Sequence, residues 1–356
     1  MEQKRITIII PAYNAEKYIG KCLKAVKSQT YNNFEVIIVD DGSQDKTVSI
    51  CEEYAEDDNH IRVIKSEHRG VSRARNVGLE AATGELVSFF DADDYPEENL
   101  LREYAEAFEM WEHTVSFVSC GMYWENLYDR LVPQEKHILE AGRGYKEGNR
   151  YLIQNHDISM LSWNQLFNFV TNKCYYKSVI DNNSIRFNEE VNIAEDILFN
   201  LDYLKVTDSF IGVINKPLYH YVKHGDTSLS SSYYVGAIEH VCHSFENLLD
   251  YISKQPGVSE EDTAVIKSIY LMDWVSRLSM LMGDNNSELG KKERYKICNE
   301  ELKKEKFKAL LRDSFKSHKI SGVRYFALRN CRFEIFYFMR KIYHALRISR
   351  RSEENS

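Results

Sequence analysis

The stretch LVSFFDADDYP, Leu86–Pro96, decides how this chain is read. A run of apolar and small residues, Leu86 to Phe90, ends abruptly in Asp91, Asp93 and Asp94. Short apolar runs bounded by turn formers predict buried strands. Aspartate is depleted in strands and favoured in turns, so the acids belong just past the strand's carboxyl end. In open α/β sheets that edge is where ligands bind. Carboxylates one residue apart on a turn suit a hard cation, Mg²⁺ or Mn²⁺, which can clamp a diphosphate. They also suit a plain helix start, with Asp94 as N-cap and Pro96, Glu97 and Glu98 in the first turn.

The flanking chain weighs these alternatives. Ile6–Ile10, Phe34–Val39, Ile61–Ile64 and Leu86–Phe90 read as strands, separated by helical stripes such as Tyr18, Ile19, Cys22, Leu23 and Val26. Alternation of this kind implies right-handed crossovers and a mainly parallel sheet. Pro11–Asn14, Asp40–Ser43 and Asp91–Asp94 then share one sheet edge, which favours a ligand site over capping alone. A 356-residue chain with 43% hydrophobic and 28% charged residues can bury a large core in one or two domains. The net charge of −8 argues against a general nucleic-acid binder. Seven cysteines without a CxxC pair suggest buried thiols in a reducing cytosol. The N-terminus has no cleavage pattern, and no run reaches the ~18 apolar residues of a membrane span.

Three segments resemble the family 2 glycosyltransferases, inverting nucleotide-sugar enzymes of the GT-A fold. They are IIIPAYNAEKYIGKCLKAVKSQTYNNFEVIIVDDGSQDKT, GVSRARNVGLEAATGELVSFFDADD and NIAEDILF. The first two cover residues 6–94 almost continuously; His68 and Arg73 stand where Asn and a small residue are common. The resemblance implies that Pro11, Ala12, Tyr13, Asn14 and Asp40 bind the nucleotide base, with Asp41 and Ala92 beside the donor. It implies a DxD motif in which Asp91 lies near the ribose and Asp93 holds the metal. Arg75 is expected to reach the nucleotide or a phosphate, or else to form a surface ion pair. Glu195-Asp196 matches the family's Glu-Asp pair, with Asp196 as the base that strips the acceptor hydroxyl and Glu195 orienting it. Two acids opening a helix also serve as a dipole-compensating cap.

Beyond the sheet, residues 125–150 turn polar and glycine-bearing, and Trp124 and Trp163 fit either a sugar site or a core. The stretch from Pro217 to Ser228 resembles a Tyr-x-Tyr-Arg…Ser loop of the family. His220 or His224 there could complete a metal shell, although a loop histidine is usually just solvated. From Tyr233 the patterns are helical, over about Tyr233–Ser253, Glu260–Met282, Lys291–Leu311 and Val323–Leu346. Residues 323–351 carry eight Arg and Lys, from Arg324 to Arg351, against one acid, Glu334, interleaved with phenylalanines. That composition reads as an amphipathic helix on an anionic membrane surface, or as one packed on protein.

The expectation is therefore a GT-A domain over 1–232, its nucleotide half 1–123 and acceptor half 124–232, with a helical region over 233–356. The chain would be a cytoplasmic, membrane-peripheral transferase, with room for homo-oligomerisation. It would move sugar from a UDP-sugar to a glycan or lipid-linked glycan in surface polysaccharide synthesis, using Mn²⁺ or Mg²⁺ and no nucleic acid. A sugar nucleotidyltransferase is the alternative, but PAYNAEKYIG is not the glycine-rich basic loop it needs. A non-catalytic glycan- or nucleotide-binding subunit is the other.

Overall fold

In the computed structural model, residues 3–126, 135–138, 145–224, 236–283, 289–330 and 332–338 are described. They divide into two compact units, Met1–Glu125 with Gln134–Val222, and Asn126–Pro133 with Lys223–Ser356.

The first unit opens with β1 (Ile6–Ala12), α1 (Ile19–Lys27), β2 (Phe34–Asp40), α2 (Thr47–Asp57), β3 (Ile61–Lys65), α3 (Val71–Ala81) and β4 (Leu86–Phe89). Then come β5 (Tyr95–Pro96), α4 (Leu100–Met110), β6 (Val115–Asn126), β7 (Glu135–His137), β8 (Tyr145–Glu147) and β9 (Arg150–Ile153). It closes with α5 (Ile158–Trp163), β10 (Lys173–Tyr176), α6 (Lys177–Asn182), α7 (Glu195–Lys205) and β11 (Phe210–Lys223). The main path of the sheet runs β3-β2-β1-β4-β10-β6-β11-β9-β8. The four strands β3-β2-β1-β4 are parallel, as the apolar runs predict, while β10 pairs antiparallel with both β4 and β6.

Every residue of β1, β2 and β4 is buried, which is why these strands read as continuous apolar runs. The register sets Ala12 beside Asp40 and Ile9 beside Phe89, so the chain segments after the three strands emerge together. Helix α3 lies close over β1. A Cβ at Gly78 would meet Ile9 Cγ2 at 2.3 Å, so only glycine fits.

Several boundaries differ from expectation. Asp94 is no helix cap: α4 starts at Leu100 behind Asn99, and Asp94 Oδ1 instead accepts the Val222 N–H at 2.8 Å. Pro96, expected in the first turn of that helix, pairs with Tyr219 as part of a short strand in which Tyr95 pairs with His220. Pro217 does not begin a loop, because β11 runs straight through it to Lys223. An alternating run of Tyr, His and Val after a proline hid that strand. Part of the expected 125–150 loop is β7, β8 and β9; Ser228 and residues 339–351 lie outside the described residues.

The second unit contains α8 (Ala237–Ser253), α9 (Glu260–Gly283), α10 (Lys291–Lys303), α11 (Glu305–Lys316) and α12 (Gly322–Arg329). Its core stacks Phe245 on Tyr270 and sets Phe307 edge-on to Trp274. The expected single helix over 291–311 breaks at Lys304, whose ψ is 132°. The expected helix from Val323 stops at Arg329, and residues 333–338 form a separate helical segment. No helix among the described residues is long and apolar enough to cross a membrane.

Candidate active site

The base-side half of the site is a set of interlocked loops. Asn14 sits at φ 47°, its N–H donating to Ser43 Oγ and its Oδ1 accepting the Gln44 N–H. Asp40 is buried, with Oδ2 accepting the Gly42 and Ser43 N–H groups at 3.2 Å. Its Oδ1 is buried with no hydrogen-bond partner. Buried acceptors are usually satisfied, and this oxygen is one of several described polar atoms without a partner, Asp94 Oδ2 among them. Tyr13 is 44% exposed and stacks on His68 at 4.0 Å. Asp41, grouped with the donor contacts on resemblance, has other work. Its Oδ1 accepts the Arg69 N–H, while Oδ2 takes the Gly70 N–H and meets His68 Nδ1. Both oxygens are spent holding the 68–70 loop.

The acids gather around Arg75. Projecting from the first turns of α3 and almost fully buried, its guanidinium donates to Asp91 Oδ1 at 3.0 Å, Glu195 Oε1 at 3.0 Å and Asp196 Oδ1 at 2.8 Å. The sequence offered a nucleotide contact or a surface pair; the structure shows a buried hub joining residues 121 positions apart. Burial pulls the Arg75 pKa down, but the charges of Asp196, Asp91 and Glu195 outweigh it and hold it above the usual arginine range. Asp196 is pushed up to about 7, by burial first and by Glu195 and Asp91, against the opposing pull of Arg75. Its Oδ2 accepts the Val170 N–H at 3.0 Å. Immediately before the pair, Ala194 is left-handed at φ 62°, a strained conformation for a residue with a Cβ.

Asp93 is pushed up to about 7 by burial and the neighbouring Asp91 charge, and burial with those two charges drives Asp94 well above the carboxylate range. The loop is tied to β11, where the Tyr219 hydroxyl accepts the Asp91 N–H at 3.0 Å. Pro11, Ala12 and Ala92 are buried beside it.

His220 is not the solvated loop histidine of the sequence reading. It is buried on β11 with Nδ1 at 2.6 Å from Glu125 and Nε2 at 2.7 Å from Glu97. Tyr95 and Tyr123 stack on it at 4.1 and 4.5 Å. Both ring nitrogens are engaged, so it has no lone pair for a metal. Among the described residues, no three His, Cys, Asp or Glu side chains are grouped to hold a metal ion. Trp163 is half exposed, and Trp124 packs against His137, Tyr221 and Phe169.

A parallel half-sheet whose strand ends gather acids at one edge is the arrangement in which open α/β proteins bind their ligands. The family model Glycosyl transferase family 2 matches residues 7–181. The chain belongs to that family and is a glycosyltransferase of the GT-A fold. It is 29% identical over 265 residues to EpsJ of Bacillus subtilis (strain 168), an uncharacterized glycosyltransferase, covering 73% of this chain and 74% of EpsJ. It is 31% identical over 235 residues to the poly(ribitol-phosphate) beta-N-acetylglucosaminyltransferase TarS of Staphylococcus aureus (strain Mu50 / ATCC 700699), covering 65% of this chain but only 38% of TarS. The crystal structure of S. aureus TarS 1-349 in complex with UDP-GlcNAc superposes with a TM-score of 0.62 at 21% identity, over 96% of this chain and 92% of that one. That likeness shows the fold.

Proposed function

We propose that this enzyme transfers a sugar, with inversion, from a UDP-sugar to a hydroxyl of a glycan or lipid-linked glycan in surface polysaccharide synthesis. The observation that carries this reading is the meeting of Asp91, Glu195 and Asp196 on Arg75, which brings donor acid and candidate base into one site. TarS relatives solved with UDP-GlcNAc and with UDP support the donor class.

In this reading the nucleotide half, 1–123, takes UDP. Asp40 Oδ1 accepts the uracil N3–H, Tyr13 offers its exposed face for stacking, and Pro11, Ala12 and Asn14 shape the slot. The acceptor half, 124–232, brings the hydroxyl to Asp196. That carboxylate takes the hydroxyl proton as the oxygen attacks the anomeric carbon, and Glu195 and Arg75 keep it aimed. Asp93, with Asp91, would hold Mn²⁺ or Mg²⁺. Among the described residues no third His, Cys, Asp or Glu joins them, so two hard oxygen donors would leave the rest of the ion's shell to the donor and water. When bound, the ion would neutralise the departing diphosphate.

The second unit gives the reason to place the enzyme on an anionic membrane surface. Val323, Phe326, Ile335 and Phe338 are 68, 59, 47 and 64% exposed, beside exposed Arg324, Arg329 and Arg332. Their neighbours Leu328, Phe333 and Phe336 fill the unit's own core. Apolar side chains among arginines suit the headgroup boundary of anionic lipid. Phe326→Ser with Phe338→Ser, which spares that core, should abolish sedimentation with phosphatidylglycerol vesicles; retained sedimentation rejects the surface.

The deciding experiment is a nucleotide-sugar screen with product analysis. UDP release on transfer supports the proposal. Pyrophosphate would instead indicate a nucleotidyltransferase, and binding without turnover a glycan- or nucleotide-binding subunit.

A further inference from the structure

Lys173 is a lysine with no exposure, in a strand packed on both faces, and the transfer described above does not use it. Its Nζ donates to Leu166 O at 2.6 Å, to Asn172 Oδ1 at 2.9 Å and to Phe169 O. Three oxygen acceptors require three protons, and only the ammonium form carries three. An apolar residue would fill the same space without the desolvation cost of a buried ammonium. The charge therefore serves the loop that it holds.

That loop, between α5 and β10, depends on side chains for its shape. Asn172 Nδ2 donates to Leu166 O, and Asn200 Nδ2 to Phe167 O and Phe169 O. Gln165 lies at φ 58°, while Asn168 Oδ1 and Thr171 Oγ1 are buried without partners. Backbone bonds secure its two ends, where the Leu166 and Phe167 N–H groups donate to Leu161 O and the Lys173 N–H to Val170 O. Its Val170 N–H is the donor to Asp196 Oδ2.

We infer that Lys173 is a positioning residue for the reaction: its ammonium pins the 166–170 loop so that the Val170 amide holds and aims the Asp196 carboxylate. The inference rests on Asp196 being the base. The titratable groups whose charges act on Lys173 are Asp196 and Cys120, both favouring its cation, while burial lowers its pKa to about 7. The Phe117 ring faces it as well, 5.9 Å away.

Lys173→Met in the full chain tests this. UDP affinity, by calorimetry, should stay within about twofold, because the base slot is built from other loops. With the UDP-sugar that the wild type turns over, kcat should fall roughly 100-fold, the scale of a misplaced reacting group. Asp196 would lose a hydrogen bond to its ionised form and a nearby cation, so its pKa rises. The acidic limb of the kcat profile should therefore move up by about one pH unit. Lys173→Arg should restore part of kcat. A uniform loss of kcat with an unmoved limb, or no loss, overturns the inference. If Lys173→Met does not fold, Val170→Pro, which deletes the amide donor while also fixing φ and replacing a buried side chain, must give the same limb shift; an unmoved limb there also overturns it. Normal kcat in Asp196→Asn would refute the base reading itself, whereas a dead Asp196→Asn beside an unmoved limb in Lys173→Met refutes only the role of Lys173.

Discussion

Arg75→Met separates a buried electrostatic hub from an incidental cluster. Methionine keeps much of the side chain's apolar length and removes the cation that faces Asp91, Glu195 and Asp196 at 3.0, 3.0 and 2.8 Å. Breaking a buried pair by deleting one partner costs about 3–5 kcal/mol, since the remaining charge is left uncompensated. At about 2–4 °C per kcal/mol for a unit of this size, Tm should fall by roughly 6–20 °C at alkaline pH. The pH dependence gives the sharper signature. Without the guanidinium, the Asp196 carboxyl, already pushed up to about 7 in the folded state, rises further above its unfolded value. The native variant then binds more protons than the unfolded chain, so its stability is retained at low pH and lost as pH rises through those values. The deficit against wild type should be largest near pH 8.5 and shrink toward pH 5, where Asp196 is neutral. Circular-dichroism melts at the two pH values read this directly. A deficit equal at both, or below about 3 °C at pH 8.5, would refute the hub.

Three further outcomes are expected. Asp196→Asn should lower kcat about 10²–10⁴-fold, the contribution of general base catalysis, with UDP affinity kept; weakened donor binding with normal turnover would reject its role. Asp93→Asn should lose turnover and make UDP binding insensitive to EDTA; near-normal metal-stimulated activity would remove Asp93 from the cation site. Asp40→Asn should weaken UDP about 10- to 100-fold in calorimetry, the scale of a hydrogen bond to a charged group, and unchanged affinity would show that the buried Oδ1 faces no ligand.

The parallel half of the sheet was legible because its strands are buried on both faces and so carry uninterrupted apolar runs. The acids at their ends stood out for the same reason. What stayed hidden depended on contacts distant in sequence. Nothing local marks Arg75 as reaching Asp196, or separates Asp94 as a cap from Asp94 as the acceptor of the Val222 amide. Strand β11 was masked by Pro217 and by His220, which is buried between glutamates. Ala194 and Gln165 adopt left-handed backbone without being glycine or asparagine, the usual written sign of it. Lys173 carried one usable signal: a lysine opening the mixed run NKCYY, where an apolar residue would be expected in a buried strand.

On the proposed reading of Asp196 as the base, the arginine and the buried amide that attend its carboxylate both have a use. A base works best with a pKa near the working pH, which requires raising aspartate by several units. Burial alone would do that but would leave the group free to rotate and to lose its charge altogether. An ion pair alone would fix the group but depress its pKa and weaken it as a base. Here burial is the largest influence, Arg75 opposes it, and the balance falls near neutrality while both oxygens remain held, one by Arg75 and one by Val170. Arg75 and the Val170 amide therefore act on orientation and basicity together, and burial supplies the opposing upward push. Removing Arg75 should therefore shift the acidic limb of kcat upward as well as lowering its plateau, whereas Glu195→Gln removes a like charge and should shift it downward. Opposite shifts in those two variants would be difficult to obtain if Asp196 merely capped α7.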